Sequence, residues 1–324
     1  MRSFVVDTTS GHLELGVMSS ALPQDEVVVR VEWSGVNFKD SMVASEPSRV
    51  RRLPRIIGGV DASGVVESSA VSDLPVGTRV AVHGGDLGVA RDGGFAEYVA
   101  VPARFISVLP DAVSTRDAMI LGTAGFTAFA SLSALEHHGL ATDGEVLVTG
   151  ATGGVGSWAV AALASAGYSV TASTGSRDVH EFLSSLGATR IIGRDDIADK
   201  PDRVLASERW AGAIDCVGGT TLHEILRSLR YGAAVAASGL VGSAELATNV
   251  YPFITRSVAL LGIDAVESSK VTRTQTWKRF ASARSHIDVE ALVDSTISLE
   301  GLADALEVIR EGKTRGRILV QVAG

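Results

Sequence analysis

The sequence predicts an α/β protein in which a doubly wound parallel sheet is joined to a smaller β-barrel lobe. Three observations predict it. The chain up to about residue 120 is a series of short β-branched or aromatic runs broken by Pro and Gly. From Gly144 onward, apolar strands and helices alternate. A glycine cluster, Gly150 to Gly156, falls where the first of those strands gives way to a helix.

In chain order, residues 27–31, 80–82, 95–101 and 105–108 have the composition of strands. Breaks fall at Pro54, Gly58, Gly59, Pro75, Gly77, Gly84, Gly85, Gly93, Gly94 and Pro110. Short all-β segments of this kind close into a barrel-like lobe. Apolar residues then recur at helical spacing over 115–134, through Ala118, Leu121 and Ala124 to Leu132 and Leu135. Strands are expected at 145–149, 169–173, 190–192, 213–216, 233–238 and 258–263, with helices at 155–166, 179–186 and 221–229 among them. Six strands alternating with helices make a complete Rossmann dinucleotide fold. A helix at 272–283 and a strand at 317–322 return to the first lobe. The expected domains are 1–122 with 266–324, and 123–265.

Composition excludes several functions. With 46% hydrophobic residues in 324, a sizeable core can be buried. The formal net charge is −8 with no basic block, which argues against nucleic acid as a partner. Cys216 is the only cysteine, so neither an intrachain disulfide nor a multi-cysteine zinc site is expected, and a reducing cytoplasmic setting fits. The first residues lack a basic segment followed by an apolar one, so no signal peptide is expected. The apolar stretch 159–166 is too short for a bilayer, which takes about 20 residues, so no membrane partner is expected.

Residues 148–156 read VTGATGGVG, after an apolar strand and before an apolar helix. Gly150 suits a tight turn, Gly153 and Gly154 let backbone approach a pyrophosphate, and Gly156 lets helix pack on strand. The helix start then offers unpaired N–H groups and a partial positive charge. The bland alternative, a glycine-rich turn, is disfavoured by the strand before it, the helix after it and five further strands. Enzymes that bind NAD place an acid at the end of the second strand to hold the ribose 2′-hydroxyl. Here residues 172–177 read ASTGSR, with no acid before Asp178. The hydroxyls of Ser173, Thr174 and Ser176, together with Gly175 and Arg177, suit a 2′-phosphate, and Arg194 adds a second cation. NADPH is the expected cofactor.

The chain resembles the medium-chain dehydrogenase/reductase superfamily, and within it the YhdH/YhfP-type quinone oxidoreductases that include acrylyl-CoA reductases. The resemblance rests on residues 36–40 (VNFKD), 59–61 (GVD), 122–128 (GTAGFTA), 148–157 (VTGATGGVGS), 210–215 (WAGAID), 252–254 (PFI) with Arg256, 262–264 (GID) and 316–317 (GR). It implies a GroES-like barrel as the first lobe. The zinc-dependent members use Cys and His ligands that one cysteine cannot supply, and His83, His137 and His138 lack companions at suitable spacing. The resemblance implies that Gly153, Gly154, Val155, Gly156 and Ser157 hold the pyrophosphate. Ser173, Thr174, Gly175 and Ser176 would hold the 2′-phosphate. Many relatives carry arginine at position 176, here displaced to Arg177, and Arg194 matches a cofactor arginine. Gly239, Leu240, Phe253 and Ile254 would flank the nicotinamide, with Thr127 and Ser41 nearby.

On the substrate side, relatives have tyrosine where this chain has Phe38. Asn37, Phe38 and Asp61 are the candidate catalytic residues; Asn37 has a structural alternative at a helix start that Asp40 caps, and Asp61 one in orienting the lobe interface. The implied reaction is hydride transfer to the C=C bond of an α,β-unsaturated carbonyl compound or thioester. The alternatives are a quinone reductase and, in another class, a non-catalytic NADPH-binding redox sensor. An acyl-CoA would need cations for its phosphates. Arg49, Arg51, Arg52 and Arg55 form such a run, unless they are a solvated loop. The apolar strand at 258–263, open at the sheet edge, points to a homodimer.

Overall fold

The structure, a computed structural model, describes residues 1–21, 24–176, 178–199 and 203–323. In chain order it holds β1 (Arg2–Asp7), β2 (Glu14–Ser19), β3 (Val27–Val36), α1 (Phe38–Val43), β4 (Arg55–Ile57), β5 (Asp61–Ser69), β6 (Arg79–His83), β7 (Tyr98–Val101) and β8 (Ile106–Val108). Then come α2 (Thr115–His138), β9 (Glu145–Val148), α3 (Gly154–Ser165), β10 (Ser169–Ser173), α4 (His180–Ser185), β11 (Arg190–Ile192), β12 (Trp210–Asp215), α5 (Gly219–Ser228) and β13 (Ala234–Ala237). The chain continues through α6 (Tyr251–Arg256), β14 (Ala259–Gly262), α7 (Lys270–Ala283), β15 (Val293–Ile297), α8 (Leu302–Arg310) and β16 (Arg317–Gln321). Two compact units result. One comprises 1–124, 265–281 and 292–324; the other comprises 125–264 and 282–291.

In the first unit, a seven-stranded sheet runs β15-β16-β3-β5-β6-β8, with β7 also paired to β3, and a three-stranded sheet runs β2-β1-β4. Alternate residues of β3 (Val27, Val29, Val31) are buried with Val80, Val82, Ile318 and Val320 and with Leu302 and Leu306 of α8. Phe4 and Phe95 meet edge to face at 6.2 Å. The expected all-β lobe thus contains one helical turn, α1. Asn37 starts it, because Asp40 three residues on returns its carboxylate to the Asn37 N–H in a capping box. Strand β5 (DASGVVESS) has no β-branched run to announce it. It is extended because β3 and β6 pair with it on either side.

The second unit carries the parallel sheet β11-β10-β9-β12-β13-β14. In strand number this is the 3-2-1-4-5-6 order, whose reversal between β9 and β12 opens a ligand crevice at their carboxyl ends. Leu147, Trp210, Ala213, Leu226 and Val235 fill one face of the sheet. Helix α2 is long and apolar enough to cross a membrane by length and composition, but 78% of its apolar window is buried inside the protein. The sequence spacing suggests one continuous helix there, whereas the structure breaks it at Gly122 (φ 52°, ψ −165°).

Candidate active site

The turn after β9 is the first functional element. Gly150 takes φ 58°, and its carbonyl accepts the Gly153 N–H at 3.0 Å. A Cβ at position 156 would lie 2.2 Å from the Gly150 oxygen and 2.7 Å from the Ala151 Cα, so only glycine lets α3 start this close to its strand. At Gly153, the residue that caps α3, a Cβ would meet nothing nearer than 3.5 Å. The first-turn N–H groups of Gly154, Val155 and Gly156 have no carbonyl behind them in the helix. This backbone fits a pyrophosphate. Ser157 does not join it: its N–H goes to the Gly153 oxygen, and its fully buried hydroxyl donates to the Gly154 oxygen.

At the end of β10, Ser173 is buried and donates to the Gly193 oxygen at 3.4 Å. Thr174 accepts the Ser176 N–H, leaving Gly175 and Ser176 exposed. The Arg194 side chain lies over Gly175, where an added Cβ would come within 2.7 Å of its guanidinium. Thr174, Gly175, Ser176 and Arg194, but not Ser173, line a cleft of about 950 Å³ together with Arg190 and Arg209. Of the acids on the same cleft, Asp196 accepts the Gly193 N–H and Asp199 caps Ser207. Arg190 faces Glu145, while Arg194 pairs with no carboxylate among the described residues. The expected contact by Arg177 lies outside the described residues.

Across the switch point, Asp215 ends β12. It accepts from the Thr149 hydroxyl at 2.5 Å and from the Val217 and Gly218 N–H groups at 3.2 and 2.8 Å. Burial raises its pKa above the ordinary carboxylate range against these bonds. Gly239 presses on the Cys216 backbone, where a Cβ would sit 2.0 Å from the Cys216 oxygen. Burial, with Asp215 alongside, pushes the Cys216 thiol up to about 12, so it is no thiolate near neutrality. Beyond Gly239, Leu240 and Ile254 are exposed, Phe253 is half-buried against the core, and Thr127 is buried. Thr149 and Asp215 thus build the site as well, though neither is among the residues expected there. Asp215 closing the apolar run WAGAID was the available signal.

The first unit holds a buried polar network. The Asn37 amide donates to the Asp61 carboxylate at 2.8 Å and to the Gly35 oxygen at 3.1 Å, and its oxygen accepts from Arg317 at 2.9 Å. Arg317 also reaches Asp61 at 3.3 Å and the Val36 oxygen at 3.2 Å. Asp61 takes the Thr123 N–H and hydroxyl as well. The left-handed bend at Gly122 makes this possible: a Cβ there would meet Arg317 at 2.4 Å and Asp61 at 2.6 Å. Asp40 accepts the Asn37 and Val60 N–H groups. Burial pushes it up to about 7, with Asp61 adding to the rise and Arg317 opposing it.

Of the expected catalytic residues, Asn37 has both amide hydrogens engaged inside the protein and Asp61 is fully buried. They position their surroundings. Phe38 is half-buried at the start of α1, and the buried Ser41 gives its hydroxyl to the Phe38 oxygen. Arg317, which the sequence reading quoted only as a motif residue, is the cation of the cluster. An arginine opening the apolar strand RILVQ was its signal, but its partners lie far away in sequence. His83 is buried beside Arg273, and burial first, then that guanidinium, lower it to about 4. His137 and His138 are exposed at the end of α2. Among the described residues no group of three or more His, Cys, Asp or Glu is gathered as metal ligands would be.

Residues 23–111 match the alcohol dehydrogenase GroES-like domain family, and residues 154–283 match the zinc-binding dehydrogenase family. The chain is 43% identical to acrylyl-CoA reductase AcuI of Ruegeria pomeroyi, over 98% of this chain and 97% of that one. It superposes on the yhdH oxidoreductase of Salmonella enterica, solved in complex with NADP, with a TM-score of 0.95 and 37% identity over all of both chains. It also superposes on yhfP of Bacillus subtilis, solved with NAD bound, with a TM-score of 0.94 and 40% identity over 99% of each. A Rossmann sheet with its glycine cradle, a GroES-like lobe and full-length likeness to these proteins agree: the chain is an oxidoreductase of the medium-chain dehydrogenase/reductase superfamily and belongs to its YhdH/YhfP and acrylyl-CoA reductase family.

Proposed function

We propose that this enzyme reduces the C=C bond of a small α,β-unsaturated thioester, of the acrylyl-CoA type, with NADPH. The observation that carries the cofactor choice is the end of β10, where exposed Gly175 and Ser176 and an Arg194 that pairs with no carboxylate among the described residues stand in place of the acid that a ribose 2′-hydroxyl would require. The substrate class is supported by the 43% identity to an acrylyl-CoA reductase. When bound, NADPH supplies hydride to the β-carbon, and a proton from solvent completes the α-carbon.

The N–H groups of Gly153, Gly154, Val155 and Gly156 would hold the pyrophosphate, and Thr174, Gly175, Ser176 and Arg194 the 2′-phosphate. Gly239, Leu240, Phe253 and Ile254 would border the nicotinamide. Phe38, next in sequence to Asn37 at the start of α1, would wall the substrate slot. NADPH oxidation followed at its absorbance band with acrylyl-CoA, crotonyl-CoA, simple enones and quinones tests the reading. Fastest turnover of acrylyl-CoA is expected; turnover of quinones alone would replace it with the quinone reductase.

The enzyme would act as a homodimer in a cytoplasmic setting. β14 is the terminal strand of its sheet and Leu260 on it is 39% exposed, so pairing with its copy across a two-fold axis would cover the edge. Light scattering at micromolar concentration should give twice the 33.6 kDa chain mass; a monomer there would reject the dimer.

A further inference from the structure

The four arginines that follow α1 have separate fates. Arg55 is spent on Asp7 at 2.7 Å. Arg51 is turned inward: its side chain is 7% exposed and donates to the Val43 and Ser45 oxygens and to Glu46. Around it the loop is tied down. The Ser48 hydroxyl donates to the Met42 oxygen and accepts the Val50 and Arg51 N–H groups, and the Arg52 N–H reaches the Val89 oxygen. Arg49 and Arg52 are exposed, and of the four they are the two paired with no carboxylate among the described residues.

The chain carries 37 acids against 29 Lys and Arg, and on the same unit Arg2, Arg30 and Arg91 each face an acid. A solvated loop has no need of a buried arginine to hold its backbone. A loop that must present two cations in a fixed place does, because a phosphate contact loses less entropy when its donors are already positioned. The net charge of −8 makes the need sharper, since a ligand with several phosphates would be repelled wherever local cations are lacking.

We propose that Arg49 and Arg52, on the loop that the buried Arg51 fixes behind α1, dock the phosphate groups of an acyl-CoA substrate. This rests on the reading above and deepens it: the enzyme would recognise the coenzyme A handle as well as the unsaturated acyl group.

The test titrates free coenzyme A into NADP⁺-saturated protein by calorimetry. The double variant Arg49→Ala/Arg52→Ala should weaken binding about tenfold or more, and Arg49→Glu/Arg52→Glu further, while Arg30→Ala leaves it unchanged. In steady state the alanine pair should raise KM for acrylyl-CoA about tenfold at constant kcat, since it removes binding that is uniform along the reaction. KM for the acrylyl thioester of N-acetylcysteamine, which has no phosphate, should not move. NADPH affinity should also hold; a loss there would assign the two cations to the cofactor and overturn the proposal. So would unchanged coenzyme A affinity in the double variant, or no binding to the unmodified protein. Coenzyme A binding that depends on the two arginines, in an enzyme that reduces no unsaturated thioester, would leave this dock standing and remove the reductase reading. Acrylyl-CoA reduction with an unchanged KM in the double variant would do the reverse.

Discussion

Arg317→Met is expected to destabilise the protein by about 3–5 kcal/mol, read as a fall in the urea midpoint at constant slope. Arg317 is 2% exposed and faces Asp61, which is fully buried, and Asp40, 3% exposed. Removing the cation leaves two carboxylates in a dry site with only hydrogen bonds to hold their charge. Asp40 can escape by keeping its proton, because it already titrates at about 7 and loses the group that was holding it down. Asp61 then bears most of the cost, and Asn37 loses the donor to its amide oxygen. The methylene stem of methionine refills much of the volume, so a large loss would report electrostatics and not a cavity. Arg317→Lys restores charge but not the two-pronged contact with Asn37 and Asp61, and should recover part of the stability. A midpoint in Arg317→Met equal to that of the unmodified protein would mean the cluster is held by its hydrogen bonds alone.

Arg194→Ala should weaken NADPH binding about 10- to 100-fold and change NADH binding by less than about threefold, since a charge-assisted contact is worth ~1.5–3 kcal/mol. The guanidinium lies over Gly175 at the end of β10 and pairs with no described carboxylate, so its charge is available to a dianionic phosphate. NADH offers a hydroxyl at that place, and a hydroxyl gains little from a nearby cation. Fluorescence titration of both cofactors against both proteins separates the cases. Equal weakening of NADH and NADPH would show that Arg194 shapes the cleft and does not read the phosphate.

The sheet of the second unit was legible because its signals are local. Most of its strands are short, largely apolar runs separated by helical stretches, and the cradle between β9 and α3 is carried by neighbouring glycines. The first unit was legible only in part. Its long-range pairs leave little local trace, which is why β5 was not foreseen, why α1 showed only as a capping alternative at Asn37, and why α2 read as unbroken through Gly122. The same reason hid the buried cluster. Asn37, Asp61, Thr123 and Arg317 come from four separate elements, and each alone looks like an ordinary cap or surface residue. The family resemblance made Asn37 and Asp61 candidates for chemistry, with a structural alternative beside each. The atoms show them satisfying one another.

The position of β16 has a consequence for how the protein is made. It lies antiparallel beside β3 and brings Arg317, which bonds to a carbonyl 281 residues earlier and to Asp61 256 residues earlier. At roughly 5–20 residues per second of synthesis, Asp61 leaves the ribosome some 10–50 s before its counter-ion exists. During that interval the nascent first lobe carries an open β3 edge and two unneutralised carboxylates, while every strand of the parallel sheet can already pair. The lobe begun first is therefore completed only when β16 arrives, and a premature stop before Arg317 would strand it in that exposed form, a substrate for chaperones and proteases.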